Sequence, residues 1–364
     1  MQSTQQATRE GVPPNAGSHE TVLRIRVEPA DVGIVGFVDG GKLLEWIDNA
    51  AYAVAALWSG RDCVVASVGN IHLDRPISVG ELVEVRASLV YTGRSSMHIL
   101  ITVCSSDPTR AKAAQTSQCP IIFVAVDDGG NPSEVPPWTP VTMLELQRQR
   151  QARIRIPMRR RIEGAMAAES YTVEGTGPRA TLRFLATPTD VNWGGGVHGG
   201  QVMRWIDDAA RVCGAGWTAA QVITSYVAGI RFYRPIIIGD VIEVTARIIH
   251  IGPRSIHTSI HVTTADAHGA RPHLVAHGVA VVVSLDERGE ARPVPQWEPD
   301  SDEGHRLDQH ARHLIELRQF VEPFTTAAAV PAVSPWTRVP DAHLSATFRH
   351  REGRFCRLGA DRRS

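Results

Sequence analysis

The stretch GGKLLEWIDNAAYAVAALW, from Gly40 to Trp58, decides the fold because its first part recurs later in the chain. GGQVMRWIDDAA begins at Gly199, and seven of its twelve residues match those that begin at Gly40, at an offset of 159 residues. The tripeptide Arg75-Pro76-Ile77 recurs at the same offset as Arg234-Pro235-Ile236. A period of this length is too long for a solenoid unit, so it indicates a duplicated domain.

Both copies predict the same order of elements. A short strand, at 21–27 and again at 180–185, precedes a Gly-rich loop and a helix that starts at the glycine pair. The helix is apolar nearly all round, which predicts that it is buried. Four alternating runs follow, near 63–75, 81–92, 95–104 and 115–127, and near 221–234, 240–251, 255–264 and 273–286. We therefore expect an α+β fold in which an antiparallel sheet wraps around one long helix in each copy.

The repeat and the Pro-rich stretches around it divide the chain into six expected segments. These are a disordered N-terminal segment (1–19), a first domain (20–130), a linker with a charged helix (131–167), a second domain (168–290), a Pro-rich segment with a C-terminal helix (291–320) and a tail of unassigned structure (321–364).

Composition and charge exclude several classes of protein. Lys+Arg and Asp+Glu both number 38, so the basic surplus of a general nucleic-acid or anionic-membrane binder is missing. No apolar run approaches the roughly 20 residues of a membrane span, and the polar start lacks a signal pattern, which predicts a cytoplasmic protein. The five cysteines never show CxxC spacing and no ligand cluster is apparent, so we expect neither a metal nor a cofactor.

The residues around each helix start can support acyl chemistry. Each helix carries an aspartate, Asp48 or Asp207, in an apolar setting where a carboxylate is costly to bury without a hydrogen bond or a partner. The free N–H groups of a helix N-terminus carry positive partial charge, and glycines let a substrate approach them. A carbonyl group placed at Gly199 would have a developing oxyanion stabilised there. The second copy also has Asn192 in the preceding loop, where the first copy has Gly33.

The V-H-G-G loop, the W-I-D-[DN]-A-A helix, R-P-I and G-R-S-S resemble the acyl-CoA thioesterases with two tandem hotdog domains, over about residues 20–320. The resemblance implies hydrolysis of a fatty acyl-CoA to the free acid and CoA, with CoA as part of the substrate rather than a cofactor. It also implies a homo-oligomer, either a trimer or a dimer of double hotdogs. In that family an Asn in the loop and an Asp on the partner domain's helix form the active pair.

Carried over by motif, the resemblance predicts one complete site and one degenerate site. The complete site combines Asn192 and Gly199 with Asp48, whose role as general base or as nucleophile stays open. The degenerate site combines Gly33 and Gly40 with Asp207. Arg211, one helical turn after Asp207, is spaced to form an ion pair with it and reduce its availability as a base. His198 is expected to hydrogen-bond within its loop rather than to transfer protons.

Recognition of CoA is expected at two turns, because arginine suits phosphate groups. The candidates are Arg94, Ser95, Ser96, Arg254 and Ser255. Two alternative functions remain open at this point. One is a catalytically weak or inactive acyl-CoA binding or sensing protein, and the other is a hotdog hydratase of acyl thioesters, although no D-x-x-x-x-H motif is found near the helix starts.

Overall fold

A computed structural model shows how the two copies are arranged. It describes residues 19–73, 75–107, 113–172, 177–190, 196–265, 272–286, 290–319, 321 and 324–325. The expected N-terminal segment and nearly all of the tail therefore lie outside the described residues.

The two halves of the chain repeat one arrangement of strands around a central helix. The first half contains β1 (Glu20–Arg26), α1 (Gly40–Ser59), β2 (Asp62–Val68), β3 (Ile71–His72), β4 (Leu82–Thr92), β5 (Ser96–Ser106) and β6 (Ala114–Val126). The second half contains β7 (Arg179–Leu185), α3 (Gly199–Thr218), β8 (Val222–Phe232), β9 (Val241–Ile251), β10 (Ile256–Ala265) and β11 (His273–Ser284). Helix α2 (Met143–Ala168) lies between the halves in sequence, and α4 (Asp302–Gln319) follows them.

The strands form one continuous antiparallel sheet across both halves. Its order is β1-β4-β5-β6-β2-β8-β11-β10-β9-β7, and β3 pairs with β8 beside this path. The halves meet at β2 and β8, where Ser67 pairs with Arg231 and Val68 with Ile230. The α+β prediction of antiparallel sheets around long helices is confirmed.

One strand prediction needs correction. The run near 63–75 forms two separate strands, because β2 ends at Val68 and the two-residue β3 begins at Ile71. At the break, the N–H of Gly69 donates to the carbonyl of Pro120, and a Cβ on Gly69 would lie 2.6 Å from the Pro120 ring. The close approach of Pro120 therefore interrupts a run that looks continuous in the sequence.

The two central helices are buried and pack against each other in antiparallel orientation. In α1, eleven of 20 residues are buried, as its apolar composition predicts. A Cβ on Gly41 would lie 3.0 Å from Cα of Arg204, and one on Gly200 would lie 3.0 Å from Cα of Glu45. Glycines at these two positions therefore let the start of each helix approach the backbone of the other. This contact brings each helix start next to the middle of its partner.

Helices α2 and α4 cover other parts of the sheet. In α2, Ile162 and Met166 pack with Val279 of β11 and with leucines of α4. Glu163 of α2 accepts a hydrogen bond from Ser67 and another from Arg231, so this helix bridges the junction of the two halves. None of the described helices is both long and apolar enough to cross a membrane.

Candidate active site

Each helix start holds the aspartate of the other helix, which creates two related sites. We name them by their carboxylates. The Asp48 site contains Asp48 of α1 and His198, Gly199 and Gly200 at the start of α3. The Asp207 site contains Asp207 and Arg211 of α3 and Asp39, Gly40 and Gly41 at the start of α1.

In the Asp48 site, the two carboxylate oxygens differ in their hydrogen-bond partners. The backbone N–H of Gly200 donates to Oδ2 of Asp48 at 2.8 Å, so the carboxylate lies at the positive end of α3. Nδ1 of His198 lies 2.6 Å from the same oxygen. Oδ1 of Asp48 is buried and has no hydrogen-bond partner among the described residues. It would lie 3.2 Å from a Cβ on Gly199, so it faces the glycine at the helix start.

His198 is the closest cationic or polar side chain to Asp48. Burial alone would lower the pKa of His198, but the hydrogen bond and the charge of Asp48 outweigh burial and raise it above the usual value. The Gly200 N–H also lies 3.2 Å from Nδ1, and one nitrogen cannot both accept that proton and donate to Asp48. The shorter contact favours Nδ1–H as the donor to Asp48.

Aromatic and apolar side chains also lie beside the Asp48 site. The Tyr52 ring, one turn after Asp48, lies 6.1 Å from the His198 ring and 6.2 Å from the Phe123 ring. Its hydroxyl donates to Asp62, and burial together with Asp62 raises the pKa of Tyr52 to about 12. A Cβ on Gly199 would lie 2.4 Å from a methyl group of Val65, so only glycine fits at this helix start. No charged side chain other than His198 contacts the Asp48 carboxylate among the described residues.

The Asp207 site repeats the backbone contact but not the charges. The N–H of Gly41 donates to Oδ2 of Asp207 at 2.9 Å. Nε of Arg211 lies 3.2 Å from the same oxygen, so the ion pair expected from the i,i+4 spacing is present. The Arg211 guanidinium also contacts Asp39 at 3.1 Å and Asp208 at 2.6 Å. Three carboxylates therefore surround one guanidinium.

Gly33 has a steric role in this second site. A Cβ on Gly33 would lie 2.0 Å from Oδ1 of Asp39, so the missing side chain leaves room for that carboxylate. Asp39 makes no side-chain hydrogen bond to its own helix start and reaches across to Arg211 instead. Burial raises the pKa of both Asp39 and Asp207, and Arg211 opposes the rise in each. The Asp207 carboxylate is thus occupied by a network that spans both halves.

The structure brings some of the expected site residues together and separates others. Asp48 contacts the start of α3, and Asp207 contacts the start of α1, which is the cross-domain pairing expected for Gly199 and Gly40. Asn192 lies outside the described residues. The expected CoA-binding residues Arg94, Ser95, Ser96, Arg254 and Ser255 lie at the β4–β5 and β9–β10 turns, away from both carboxylates.

Those turns lie beside the C-terminal ends of the central helices. The carbonyl of Arg94 accepts from Val135 N–H, and the next residue, Pro136, accepts from the Trp58 indole at the end of α1. In the second half, Trp217 contacts Pro295 in the same way. Asp48 and Ser59 are eleven residues apart on α1, or about 16 Å along the helix. A ligand that reached both Asp48 and the Arg94 turn would therefore lie along α1.

Three features of these sites could not be read from the sequence. They are the short contact between His198 and Asp48, the Tyr52–Asp62 hydrogen bond and the bridge from Arg211 to Asp39. A signal for two of them exists in the repeat alignment. At the offset of 159 residues, His198 aligns with Asp39 and Arg211 aligns with Tyr52. The two copies of the domain therefore differ in side-chain charge at both of these positions.

Cavities adjoin both sites. The one at the Asp48 site is lined by Glu45, Asn49, Thr189, Asp190, His198 and Gln201. The one at the Asp207 site has mostly apolar walls, among them Phe37, Leu43 and Leu73, together with Asp39 and Arg211. Within the described part of the chain, no group of three or more His, Cys, Asp or Glu side chains is arranged to hold a metal ion.

Comparisons with known proteins agree with this arrangement. The profile of the Thioesterase superfamily matches the chain twice, at residues 35–112 and 194–270. Protein VdlD of Helicobacter pylori is 32% identical over 135 residues, which cover 37% of this chain and 77% of VdlD. The chain belongs to the thioesterase superfamily.

One curated relative and one solved structure match most of the length of this chain. The cytosolic acyl coenzyme A thioester hydrolase of Mus musculus is 23% identical over 315 residues, which cover 80% of this chain and 81% of the mouse protein. A Lactobacillus plantarum structure described as an oleoyl thioesterase superposes with a TM-score of 0.53 at 13% identity, over 75% of this chain and 99% of that one. The fold is therefore that of two tandem hotdog domains, as predicted.

Proposed function

We propose that this protein hydrolyses acyl-CoA thioesters to a free acid and CoA at the Asp48 site. The observation that carries the proposal is the partner of the Asp48 carboxylate: Oδ2 is held by Gly200 and by the imidazole of His198, whereas Asp207 is held by the Arg211 guanidinium. The mouse relative that matches most of the chain is named for this same reaction. The acyl group is proposed to be a fatty acyl chain, for which Tyr52, Phe123 and Val65 offer apolar contacts beside Asp48, next to the polar cavity of that site.

Two routes fit the placement of Asp48. In the first, the carboxylate removes a proton from water, the water oxygen attacks the thioester carbonyl carbon, and the C–S bond breaks to release the CoA thiolate. The thiolate then takes up the proton. In the second, the carboxylate attacks the carbonyl carbon itself and expels the thiolate, and water hydrolyses the resulting anhydride. In both routes the reacting group is the Asp48 carboxylate, which the contacts with His198 and Gly200 hold in place.

The carbonyl oxygen would be stabilised at the start of α3. The Gly200 N–H is already used by Asp48, whereas no described residue accepts a hydrogen bond from the Gly199 N–H. The Gly199 N–H and the side-chain amide of Asn192 are therefore the proposed donors to the developing oxyanion. If these groups act as one unit with Asp48, then Asn192→Ala combined with Asp48→Asn should be little worse than either change alone.

The test is release of free thiol from a panel of acyl-CoA esters that varies in chain length. Rapid release without added metal supports the proposal. Binding of acyl-CoA without thiol release would identify an acyl-CoA binding or sensing protein instead. Hydration of an enoyl-CoA without thiol release would identify a hydratase. Activity that is lost with a chelator and restored by a divalent ion would contradict a mechanism carried by the protein side chains alone.

We further propose a cytoplasmic homo-oligomer, either a trimer or a dimer of double hotdogs. The mouse relative is named as cytosolic. The sheet ends at β1 and β7, and Leu82 and Leu185 beside these edges are 39% and 55% exposed, which leaves apolar surface for another copy. Light scattering should give a mass well above 39.6 kDa, and a stable monomer at micromolar concentration would contradict the assembly.

A further inference from the structure

Helix α2 has a charge that the neutral composition of the whole chain conceals. Within Met143–Ala168 there are seven arginines and two glutamates. Both glutamates are engaged: Glu145 caps the helix start at Thr142, and Glu163 binds Ser67 and Arg231. Helix α2 therefore carries a strong positive charge, and both of its glutamates are held by hydrogen bonds to other parts of the protein.

The exposed positions of α2 form one stripe along the helix. They recur every three or four residues, which places them on a single face. The stripe consists of Met143, Gln147, Arg150, Arg153, Ile154, Pro157, Arg160, Arg161, Gly164, Ala167 and Ala168. It contains four arginines and no acidic residue. Among the described residues, Arg150, Arg160 and Arg161 form no ion pair.

Large apolar side chains on this face, and one just before the helix, are also unusually exposed. Val141, Met143 and Ile154 are 86%, 70% and 75% exposed, and they are three of the four most exposed large hydrophobic residues in the described part of the chain. Val141 lies two residues before α2, and the other two lie within it. A basic helix face with exposed large apolar side chains is typical of helices that lie on a membrane surface.

We propose that this α2 stripe docks the protein on an anionic lipid surface, with the arginines at the headgroups and Ile154 and Met143 in the interface. A second copy of the chain is a poor occupant, because two such stripes would bring like charges together. The chain's own tail is also a poor occupant. The backbone of Thr325 is hydrogen-bonded to Arg148 and Gln151 of α2. The following residues, 326–364, contain seven arginines and three acidic residues, so their net positive charge would be repelled by the stripe.

The apolar residues favour lipid over nucleic acid. Phosphate groups of either ligand would attract the arginines, but only a lipid surface gives Ile154, Met143 and Val141 an apolar environment. Docking through this face leaves the α1–α3 helix pair unobstructed, because α2 packs on the sheet and on α4 rather than on α1 or α3. The inference does not depend on the proposed hydrolase activity.

The experiment is co-sedimentation of the full chain with vesicles. We expect binding to phosphatidylcholine vesicles that contain 30–40% phosphatidylglycerol (about one anionic lipid in three), and little binding to pure phosphatidylcholine. The variant Arg150→Gln/Arg160→Gln/Arg161→Gln should lower the partition coefficient by about a hundredfold, since each arginine near such a surface contributes roughly a factor of five. Ile154→Ser should weaken binding separately, and salt should weaken the wild type.

The matched control is Arg26→Gln/Arg61→Gln/Arg183→Gln, which removes the same charge from exposed positions outside α2. It should retain most of the binding, and thermal melts should show that both triple variants fold. Equal loss in the two triple variants would overturn the proposal, as would equal binding to neutral and anionic vesicles. Binding to a DNA or RNA duplex but not to vesicles, with loss in the α2 variant, would also overturn it.

Discussion

The Asp48 and Asp207 sites have the same backbone geometry and opposite electrostatic surroundings. In each, an aspartate accepts a hydrogen bond from the second glycine of the partner helix, at 2.8 Å and 2.9 Å. One carboxylate then meets an imidazole, whereas the other meets a guanidinium that two further carboxylates share. The common contact anchors the two helices, so retention of both aspartates has a structural reason. Catalytic competence must therefore depend on the neighbours.

The neighbours differ as a set. At the Asp207 site, Gly33 leaves room for Asp39, Asp39 reaches Arg211, and Arg211 holds Asp207. At the Asp48 site, the aligned positions are Asn192, His198 and Tyr52. At the Asp207 site, a side chain larger than hydrogen at position 33 would collide with Asp39, and loss of Asp39 or Arg211 would remove a partner from the ion network. The Asp207 site thus has an ion network at the positions where the Asp48 site has the groups that we propose to react, and each prediction below probes one part of this difference.

The largest expected difference is between the two aspartates. Asp48→Asn should reduce kcat by about a hundredfold or more, because the amide keeps a hydrogen-bond acceptor for Gly200 but cannot act as base or nucleophile. Asp207→Asn should have a much smaller effect on kcat. Thiol-release kinetics measure both effects.

Folding must be compared in the same preparations, because both aspartates are buried. Circular dichroism melts provide that control. If Asp207→Asn abolishes turnover in a folded protein while Asp48→Asn leaves it intact, the reaction takes place at the Asp207 site and the proposed assignment to the Asp48 site is wrong.

The repeat made much of this arrangement predictable, and its limits have physical reasons. Apolar periodicity showed which helices are buried, and the i,i+4 spacing showed the pair of Asp207 and Arg211. Alternation within a strand does not show which edge it pairs with, so the β2–β8 junction could not be predicted. The contacts from His198 to Asp48 and from Arg211 to Asp39 join residues 150 and 172 positions apart, and they depend on how the two helices cross.

The second prediction concerns the stability of the Asp207 network. Arg211→Tyr, which copies Tyr52, should lower the free energy of unfolding by about 3 kcal/mol, because it leaves the buried Asp207 carboxylate without a counter-charge. Adding Asp39→His should recover part of this loss, with a coupling of about 1–2 kcal/mol. Urea denaturation of the two single variants and the double variant measures the coupling. Strictly additive losses would show that Asp39 and Arg211 do not act together.

The third prediction concerns His198. His198→Gln should reduce kcat by about tenfold, because the Asp48 carboxylate loses its positively charged partner and its fixed position.

The raised pKa of His198 also predicts how the free energy of unfolding changes with pH. A folded pKa above the unfolded value means that the contact stabilises the fold below the ordinary pKa of 6.5, and that this contribution is lost as pH rises through the raised value.

Urea denaturation at about pH 6 and about pH 9 provides the measurement. The stability difference between wild type and His198→Gln should be larger at the lower pH. A matched variant, Asp39→Asn, controls for changes at a helix start in general. A pH-independent difference would mean that the imidazole acts by packing and not by its charge.

The smallest expected effect separates the two turns that were predicted to bind CoA. The Arg94 turn lies at the C-terminal end of α1, the helix that carries Asp48, whereas the Arg254 turn lies at the end of α3. If only the Asp48 site is active and its substrate extends along α1, Arg94→Gln should raise KM about threefold at unchanged kcat, the scale of losing one exposed ionic contact. Arg254→Gln should leave KM unchanged.

Steady-state kinetics at low salt provide the measurement. Dephospho-CoA esters, which lack one phosphate group, show whether that phosphate contacts the turn. A rise in KM for Arg254→Gln alone would place the nucleotide at the Arg254 turn, so the substrate would lie along α3 instead of α1. Equal rises in KM for the two variants would mean that both sites bind acyl-CoA, even if only one of them hydrolyses it.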